Sequence, residues 1–240
     1  MQQLIERRFG IKLSIWTVGR YLRRWNFTPQ KPLKRAYERN PREVKAWLEK
    51  EYPRIRKRAK EEGAEIWWGD ETGIKSDHQA GRSWAPKGET PVVEVSGKRF
   101  RFNMISAINN RGKLKFMIFR ERFTTEVFLE FLRRLIRSRE RGRKIYLIVD
   151  NHRVHRAKRV KEWLKGKEDK LELHYLPRYS PELNPNEYLN QDVKTNAVGR
   201  RRKRSLEEME GNVRSYLMST QRQPEIVRSY FRAPAVRYAM

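Results

Sequence analysis

The sequence predicts a mixed α/β domain that follows a small all-α segment. Apolar runs of strand length, separated by turn residues, fill the middle of the chain. The first runs follow one another without a helix between them, which favours antiparallel neighbours. The last two enclose an amphipathic helical stretch, which favours a parallel pair with a right-handed crossover. The expected sheet is therefore mixed and flanked by helices.

The all-α segment begins the chain. Its sequence, "QQLIERRFGIKLSIWTVGRYLRRWNF", predicts a short helix, a turn at Gly10 and a longer helix from about Ser14 to Trp25. The second helix carries Arg20, Arg23 and Arg24. Two helices joined by a tight turn are compatible with a partial helix-turn-helix DNA-binding segment over residues 1–28. An ordinary amphipathic hairpin is the alternative, and the pattern alone favours it.

Residues 29–63 are predicted to be a basic linker followed by a helix. The helix start is well marked, with Asn40 as N-cap, Pro41 at the first position and Glu43 at the third. Pro53 is expected to kink or end this helix, because proline removes a backbone donor and clashes with the preceding turn.

Strands and helices alternate from residue 64 onward. Four apolar segments predict the first strands: "EIWWGD", "TPVVEV", "RFNMISAIN" and "KLKFMIF". A helix is expected over about 125–139. The segment 145–149 is apolar at every position and therefore predicts a strand buried on both faces. A basic amphipathic helix after Asp150 and a last strand, "LELHYLP", complete the pattern.

Composition points to a nucleic-acid partner. The formal net charge is +27, with 56 Lys and Arg residues against 29 Asp and Glu residues. An excess of this size favours nucleic acid first and an acidic membrane surface second. The chain has no cysteine, which excludes disulfides and thiolate metal sites. No apolar run approaches the roughly 20 residues that span a bilayer, and no signal peptide is recognisable, so a cytoplasmic protein without membrane association is expected.

Three acidic residues are candidates for a metal site. Asp70 and Asp150 each follow an apolar run, and the carboxyl ends of strands are where α/β sheets bind ligands. Glu187 stands at the start of a predicted helix that begins at Asn184. Converging carboxylates raise one another's pKa, and divalent cations such as Mg²⁺ relieve that repulsion. The alternatives are that the aspartates shape turns and that Glu187 forms a capping box with Asn184.

Polar residues near these acids have other candidate roles. His152 and His155 could suggest zinc, but no cysteine or third clear ligand supports that reading, so they are expected to be bystanders. Glu71 is expected to point to the opposite face of its strand from Asp70 and is the second choice as an acid.

Four segments together resemble a known family. They are "WWGDETGI", "GRSWAPKGETP", "IYLIVDNHRVH" and "YLPRYSPELNPNEYLN". They resemble the mariner-superfamily DDE transposases, in the bacterial insertion-sequence branch called IS-six-thirty, over about residues 64–215. The first helices resemble the second half of that family's paired helix-turn-helix region. Two departures are visible: the stretch between Asp150 and Glu187 is slightly long, and "NEYLN" replaces an ending in which tryptophan follows the glutamate.

The resemblance implies a function and a set of catalytic residues. It implies an RNase H-like DDE catalytic domain over residues 64–240, with two Mg²⁺ or Mn²⁺ ions held by Asp70, Asp150 and Glu187. The implied reaction is transposition: water cleaves the transposon end, and the freed 3′-hydroxyl attacks target DNA at a TA site. The implied partners are double-stranded DNA, as terminal inverted repeats and target, and a second copy of the chain on that DNA, in the cytoplasm at the nucleoid.

Basic side chains are expected to contact DNA phosphates, although a solvated helix face is the alternative for each. The candidates are Arg20, Arg23, Arg24, Arg153, Arg156, Lys158, Arg201 and Arg202.

Other functions remain open at this point. A non-catalytic nucleic-acid-binding protein would explain the charge, and an RNase H-like nuclease or resolvase would use the same metals without strand transfer. Family members usually carry a complete bipartite DNA-binding region, whereas this sequence is expected to begin partway through it. A truncated inactive transposase, one reading frame of a split gene and a natural short form are therefore alternatives.

Overall fold

The computed structural model describes residues 1–29, 36–77, 86–89, 98–140, 142–199 and 204–240. These residues divide into two compact units, 1–37 and 38–240. The predicted strand "TPVVEV" and most of "GRSWAPKGETP" lie outside the described residues. No helix in the described ranges has the length and apolar character needed to span a membrane.

The first unit contains the two predicted helices. Helix α1 covers Gln2–Phe9 and ends at Gly10, which has a φ of 68° that favours glycine. Helix α2 covers Ile15–Arg24, and the Ser14 side chain caps it by accepting a hydrogen bond of 3.1 Å from the Thr17 N–H. Both helices are confirmed.

The second unit opens with a long helical segment. Helix α3, Pro41–Ala46, begins at Asn40, whose side chain accepts from the Arg42 N–H as expected of an N-cap. A π-helical turn, Trp47–Glu51, joins it to α4, Tyr52–Glu61. Pro53 therefore does not end the helix. The wider π turn directly precedes the proline and lets the chain continue where a missing N–H would interrupt an α-helix.

A five-stranded mixed sheet forms the centre of the described part of this unit. Its strands are β1 (Glu65–Lys75), β2 (Arg101–Ile108), β3 (Leu114–Phe119), β4 (Ile145–Val149) and β5 (Leu171–Tyr175). The order is β3-β2-β1-β4-β5, antiparallel between β1, β2 and β3 and parallel between β1, β4 and β5. The predicted mixed sheet is confirmed.

Helices cover both faces of the sheet. On one face lie α5 (Thr125–Arg137) and α6 (Lys158–Leu164), which pack through Phe128, Leu132 and Val160 against side chains such as Leu147. On the other face lie α3, α4, α7 (Asn186–Asp192), α8 (Leu206–Gln221) and α9 (Pro224–Tyr230). Every residue of β4 is buried, as expected of a strand between two layers.

Two local predictions are wrong. Strand β1 does not end at Asp70 but continues to Lys75, because residues 68–75 pair with β2 after the pairing with β4 stops at Trp68. The helix expected directly after Asp150 begins only at Lys158, since residues 153–156 form turns.

Candidate active site

Asp70 and Asp150 lie on neighbouring strands at the same edge of the parallel pairing. Asp70 comes two residues after Trp68, the last residue of β1 that pairs with β4. Asp150 directly follows Val149, the last residue of β4. The carboxyl end of β4 therefore places Asp150 beside the part of β1 that carries Asp70. Between the two strands, a Cβ on Gly69 would lie 3.2 Å from side-chain carbons of Leu147 and Val149, so glycine allows close packing there.

Buried asparagines hold α7 against the middle of the sheet. The Asn186 amide donates to the carbonyls of Trp68 and Ser106, both at 2.9 Å, and its oxygen accepts from the Ser106 hydroxyl. The Asn184 amide donates to the Gly69 carbonyl at 3.1 Å. Because these bonds satisfy buried polar groups on both sides, they fix the position of α7 over β1. Helix α7 carries Glu187.

Asn190 connects two of the candidate acids. It is 1% exposed, and its amide donates a hydrogen bond of 2.7 Å to Asp70 Oδ2. Burial raises the pKa of Glu187, and the charge of Lys194 and a second side-chain hydrogen bond from Asn190 act against that rise. One neutral amide thus lies between a carboxylate of β1 and a carboxylate of α7.

Asp70, Asp150 and Glu187 line a single cleft of about 440 Å³. The rest of the wall comes from the segment that follows Asp150 and from the loop after β5, including Asn151, His152, Arg178, Tyr179 and Asn184. The structure therefore brings together the three acids that sequence reasoning selected. Glu187 is the second residue of α7, not the third, and Asn184 bonds Gly69 and the Asn186 N–H, so the capping box is not formed.

The acids of the cleft perturb one another's pKa. Burial raises the pKa of Asp70 well above its ordinary value, and the charges of Glu187, Glu71 and Asp150 raise it further. Burial also raises the pKa of Glu187, to which the charge of Asp150 adds. Such shifts mean that negative charge is costly here without a compensating cation.

Asp150 is stabilised in its charged form by neighbouring donors. Burial alone would raise its pKa, but a hydrogen bond from His155 and another from the His152 N–H lower it. His155 Nδ1 lies 2.8 Å from Asp150 Oδ1, and the His152 N–H donates to the same oxygen at 2.9 Å. The latter contact also shapes the turn after β4, so the turn-forming role considered for Asp150 coexists with its place in the cleft.

His155 is not a bystander. It is 1% exposed and packs against Phe128, with the ring centroids 4.6 Å apart. Its second nitrogen, Nε2, lies 3.6 Å from Glu71 Oε2. Glu71 points away from the Asn190 side of β1, as strand alternation predicts, and burial followed by the charge of Asp150 raises its pKa to about 7. Glu71, Asp150 and His155 offer ligand atoms within 4.8 Å of one another.

The side chains of the cleft fit a hard divalent cation. Carboxylate oxygens are the ligands that Mg²⁺ and Mn²⁺ prefer, and no cysteine is present to favour a softer metal. Burial and the charges of neighbouring acids raise the pKa of both Asp70 and Glu187, and a bound cation would offset this cost of negative charge. In addition, the buried oxygen Asn190 Oδ1 has no hydrogen-bond partner within the described residues.

The basic residues proposed for DNA contact are distributed over the surface. Arg20, Arg23 and Arg24 are exposed on α2. Arg153 and Arg156 are exposed in the turns after β4, where the Arg156 guanidinium lies 4.3 Å from the ring centroid of Tyr175. Lys158 is exposed and lies 3.8 Å from Glu162. Arg201 and Arg202 lie outside the described residues.

Sequence reasoning missed the positioning role of four buried polar residues, although it considered two of them in other roles: Asn184, Asn186, Asn190 and His155. A usable signal was present. Three asparagines within the nine residues of "ELNPNEYLN", next to apolar side chains, are unusual, because asparagine is seldom buried unless its amide is bonded. His155 follows the apolar residue Val154 in a segment expected to pack on the sheet, and a histidine in such a segment can be buried.

Comparisons with known proteins agree with this architecture. The family described as "DDE superfamily endonuclease" matches residues 65–210, and the one described as "Winged helix-turn helix" matches residues 1–51. A curated relative, the insertion element IS630 uncharacterized 39 kDa protein of Shigella sonnei, is 28% identical over 120 residues, which are 50% of this chain. The matched part spans 34% of the length of that relative.

Solved structures share the fold. The Mos1 strand transfer complex aligns with a TM-score of 0.66 at 19% identity, covering 100% of this chain and 73% of that chain. The Mos1 transposase catalytic domain with raltegravir and Mg aligns with a TM-score of 0.54 at 16% identity, covering 85% of this chain and 98% of that one. These likenesses establish the fold as RNase H-like. The resemblance to mariner and insertion-sequence transposases is confirmed, and the chain belongs to the DDE endonuclease superfamily.

Proposed function

We propose that the protein is an insertion-sequence DDE transposase that cleaves transposon ends and joins them to target DNA at TA sites. The observation that carries the proposal is the convergence of Asp70, Asp150 and Glu187 on one cleft of a DDE-superfamily domain. We assign the catalytic domain to residues 64–240, the linker and helix to 29–63, and a partial DNA-binding segment to 1–28.

The three acids would hold two Mg²⁺ or Mn²⁺ ions. Bound ions of this kind make water nucleophilic and neutralise charge that develops on phosphorus during an in-line displacement. The protein contributes the placement of each acid. His155 and the His152 N–H keep Asp150 charged and oriented, and Asn190 holds Asp70 next to Glu187. No covalent intermediate with a side chain is needed, because the 3′-hydroxyl freed by cleavage is itself the next nucleophile.

DNA is the substrate that the charge supports. The net charge of +27 and the exposed arginines of α2 and of the turns after β4 favour a polyanion. The winged helix-turn-helix match to residues 1–51 agrees with a DNA-binding role for Arg20, Arg23 and Arg24. We also propose that two copies act on paired DNA ends, at the nucleoid in the cytoplasm.

Substitution of one acid tests the catalytic assignment. Asp150→Asn keeps the size of the side chain and an oxygen that can accept from the His152 N–H, but it removes the charge. We expect this variant to bind DNA that carries the element's inverted repeats as well as the wild type or more tightly, and to lose strand cleavage in Mg²⁺. The measurements are gel-shift titration and nicking of a supercoiled plasmid that carries the repeats. Asp169→Asn, at an exposed turn, is a matched control for the change in charge.

Cleavage by Asp150→Asn at the wild-type rate would exclude the assigned role. A nuclease or resolvase with the same fold is the second candidate, favoured by the same acidic cleft. It is distinguished by joining: a transposase transfers pre-cleaved repeat ends into a second plasmid, whereas a nuclease cuts without joining.

A further inference from the structure

Tyr179 is the exposed aromatic residue of the cleft. Its side chain is 56% exposed, and in the part of the unit 38–240 that the structure describes, the other exposed large apolar residues are Leu48, Met218 and Met240, none of them aromatic. Tyr179 also lines the same cleft as Asp70, Asp150 and Glu187. An aromatic ring is therefore accessible to solvent beside the candidate catalytic acids.

The backbone at Tyr179 is held in an unfavourable conformation. Its φ is 53°, in the left-handed region, and the other described non-glycine residue with positive φ is Asn26. Asparagine tolerates this region far better than a bulky aromatic residue does. Non-glycine residues in such conformations tend to occur at functional sites, where the surroundings enforce them.

The loop around Tyr179 is anchored on both sides. Before it, the Leu176 N–H donates to the Val149 carbonyl at 2.9 Å, and the Asn151 amide donates to the Leu176 carbonyl. After it, Ser180 is 3% exposed, and the Tyr238 hydroxyl donates to the Leu183 carbonyl at 2.7 Å. Pro177 and Pro181 restrict the backbone further. The ring thus stands on a fixed loop, so little entropy is lost when a ligand packs against it.

We propose that Tyr179 is a stacking platform for an unpaired DNA base next to the phosphate that is cut. This proposal rests on the proposed function, since it takes DNA as the substrate. The bases inside a duplex already stack on both of their faces, so an exposed phenol ring can stack only on a base at an end or outside the helix. Arg178, which lines the cleft beside it, adds a positive charge for the adjoining backbone.

Binding to two matched DNAs tests the proposal without any catalytic step. One is a 20-base-pair duplex with a 3′ extension of four thymidines, and the other carries four abasic sites in the same extension. Affinities of the full chain are measured by fluorescence anisotropy in EDTA. We expect the wild type to bind the thymidine extension at least about fivefold more tightly than the abasic one, the low end of what stacking on an aromatic side chain contributes.

The variants separate the ring from the hydroxyl. Tyr179→Ala should reduce the ratio between the two affinities to about one, while Tyr179→Phe and Tyr179→Trp keep it. Because Tyr179 is exposed, the variants should retain the wild-type circular dichroism spectrum. Equal binding of both DNAs by the wild type, or a preference that persists in Tyr179→Ala, would overturn the stacking role and leave the transposase proposal standing. Failure of the wild type to bind either DNA would overturn both.

Discussion

Replacement of Asn190 by leucine should destabilise the metal-free protein more than the metal-bound protein. Leucine has a similar volume but no donor, so Asp70 Oδ2 loses its 2.7 Å hydrogen bond and remains buried. Leaving a buried acceptor without its donor costs about 1–3 kcal/mol. In the metal-free protein we therefore expect the free energy of unfolding to fall by about 2 kcal/mol.

A divalent cation should supply the missing partner. When Mn²⁺ binds the carboxylates, Asp70 no longer depends on the amide, so the difference between variant and wild type should shrink in saturating Mn²⁺. The assay is urea denaturation, followed by tryptophan fluorescence, in EDTA and in MnCl₂. Asn196→Leu is a matched control. Its amide also bonds a carboxylate, that of Asp192, which keeps the donors Tyr216 and Tyr230.

Two results would refute this reasoning. A loss below about 0.5 kcal/mol in EDTA, the lower limit of a typical hydrogen bond, would show that the amide does not hold Asp70. A deficit of equal size with and without Mn²⁺ would show that the cation does not reach this carboxylate. The Asn196→Leu variant should show a smaller deficit that Mn²⁺ does not change.

Two further predictions concern stability. Burial, with the charge of Asp150, raises the pKa of Glu71 to about 7, so the folded protein holds this proton more tightly than the unfolded chain does. The stability that this proton contributes is fully present below about pH 4.5 and is lost as pH rises through about 7. The free energy of unfolding should therefore fall between pH 5 and pH 8, and Glu71→Gln should remove up to about 3 kcal/mol of that fall. The measurement is urea denaturation in EDTA at the two pH values. An unchanged pH dependence would contradict the shift. Gly112→Ala should lower the melting temperature markedly, because φ is 91° and a Cβ would lie 2.5 Å from the Pro224 carbonyl oxygen. A variant that melts within a degree of the wild type would exclude this contact.

Much of the fold follows from local patterns. The N-cap at Ser14, the Asn40-Pro41 helix start and the fully apolar run of β4 each depend on a few adjacent residues, and each was predictable. The residue at which β1 ends was not predictable in this way. Whether a strand stops at Asp70 depends on its partner, and β2 continues the pairing to Lys75, a contact between residues far apart in sequence.

The candidate site, like the fold, was predictable from the sequence only in part. The three acids could be selected because strand ends and the four motifs mark them. Their supporting residues could not, since the bonds of Asn190 to Asp70 and of His155 to Asp150 depend on how α7 and the turns after β4 pack onto the sheet. The helix expected directly after Asp150 failed for a related reason, because that turn bonds the aspartate instead of continuing a helical ladder.

The continuation of β1 beyond Asp70 gives the three acids unequal freedom of movement. Asp70 sits within a strand that is hydrogen-bonded to β2 on both sides of it, whereas Asp150 and Glu187 lie at the ends of their elements. The first turn of α7 is held to the sheet as well, because the Asn186 amide donates to the carbonyls of Trp68 and Ser106. Any reshaping of the cleft when a nucleic acid enters must therefore come from the segment after β4, which can shift while the sheet stays still. Asp70 would then act as the stationary reference against which Asp150 adjusts.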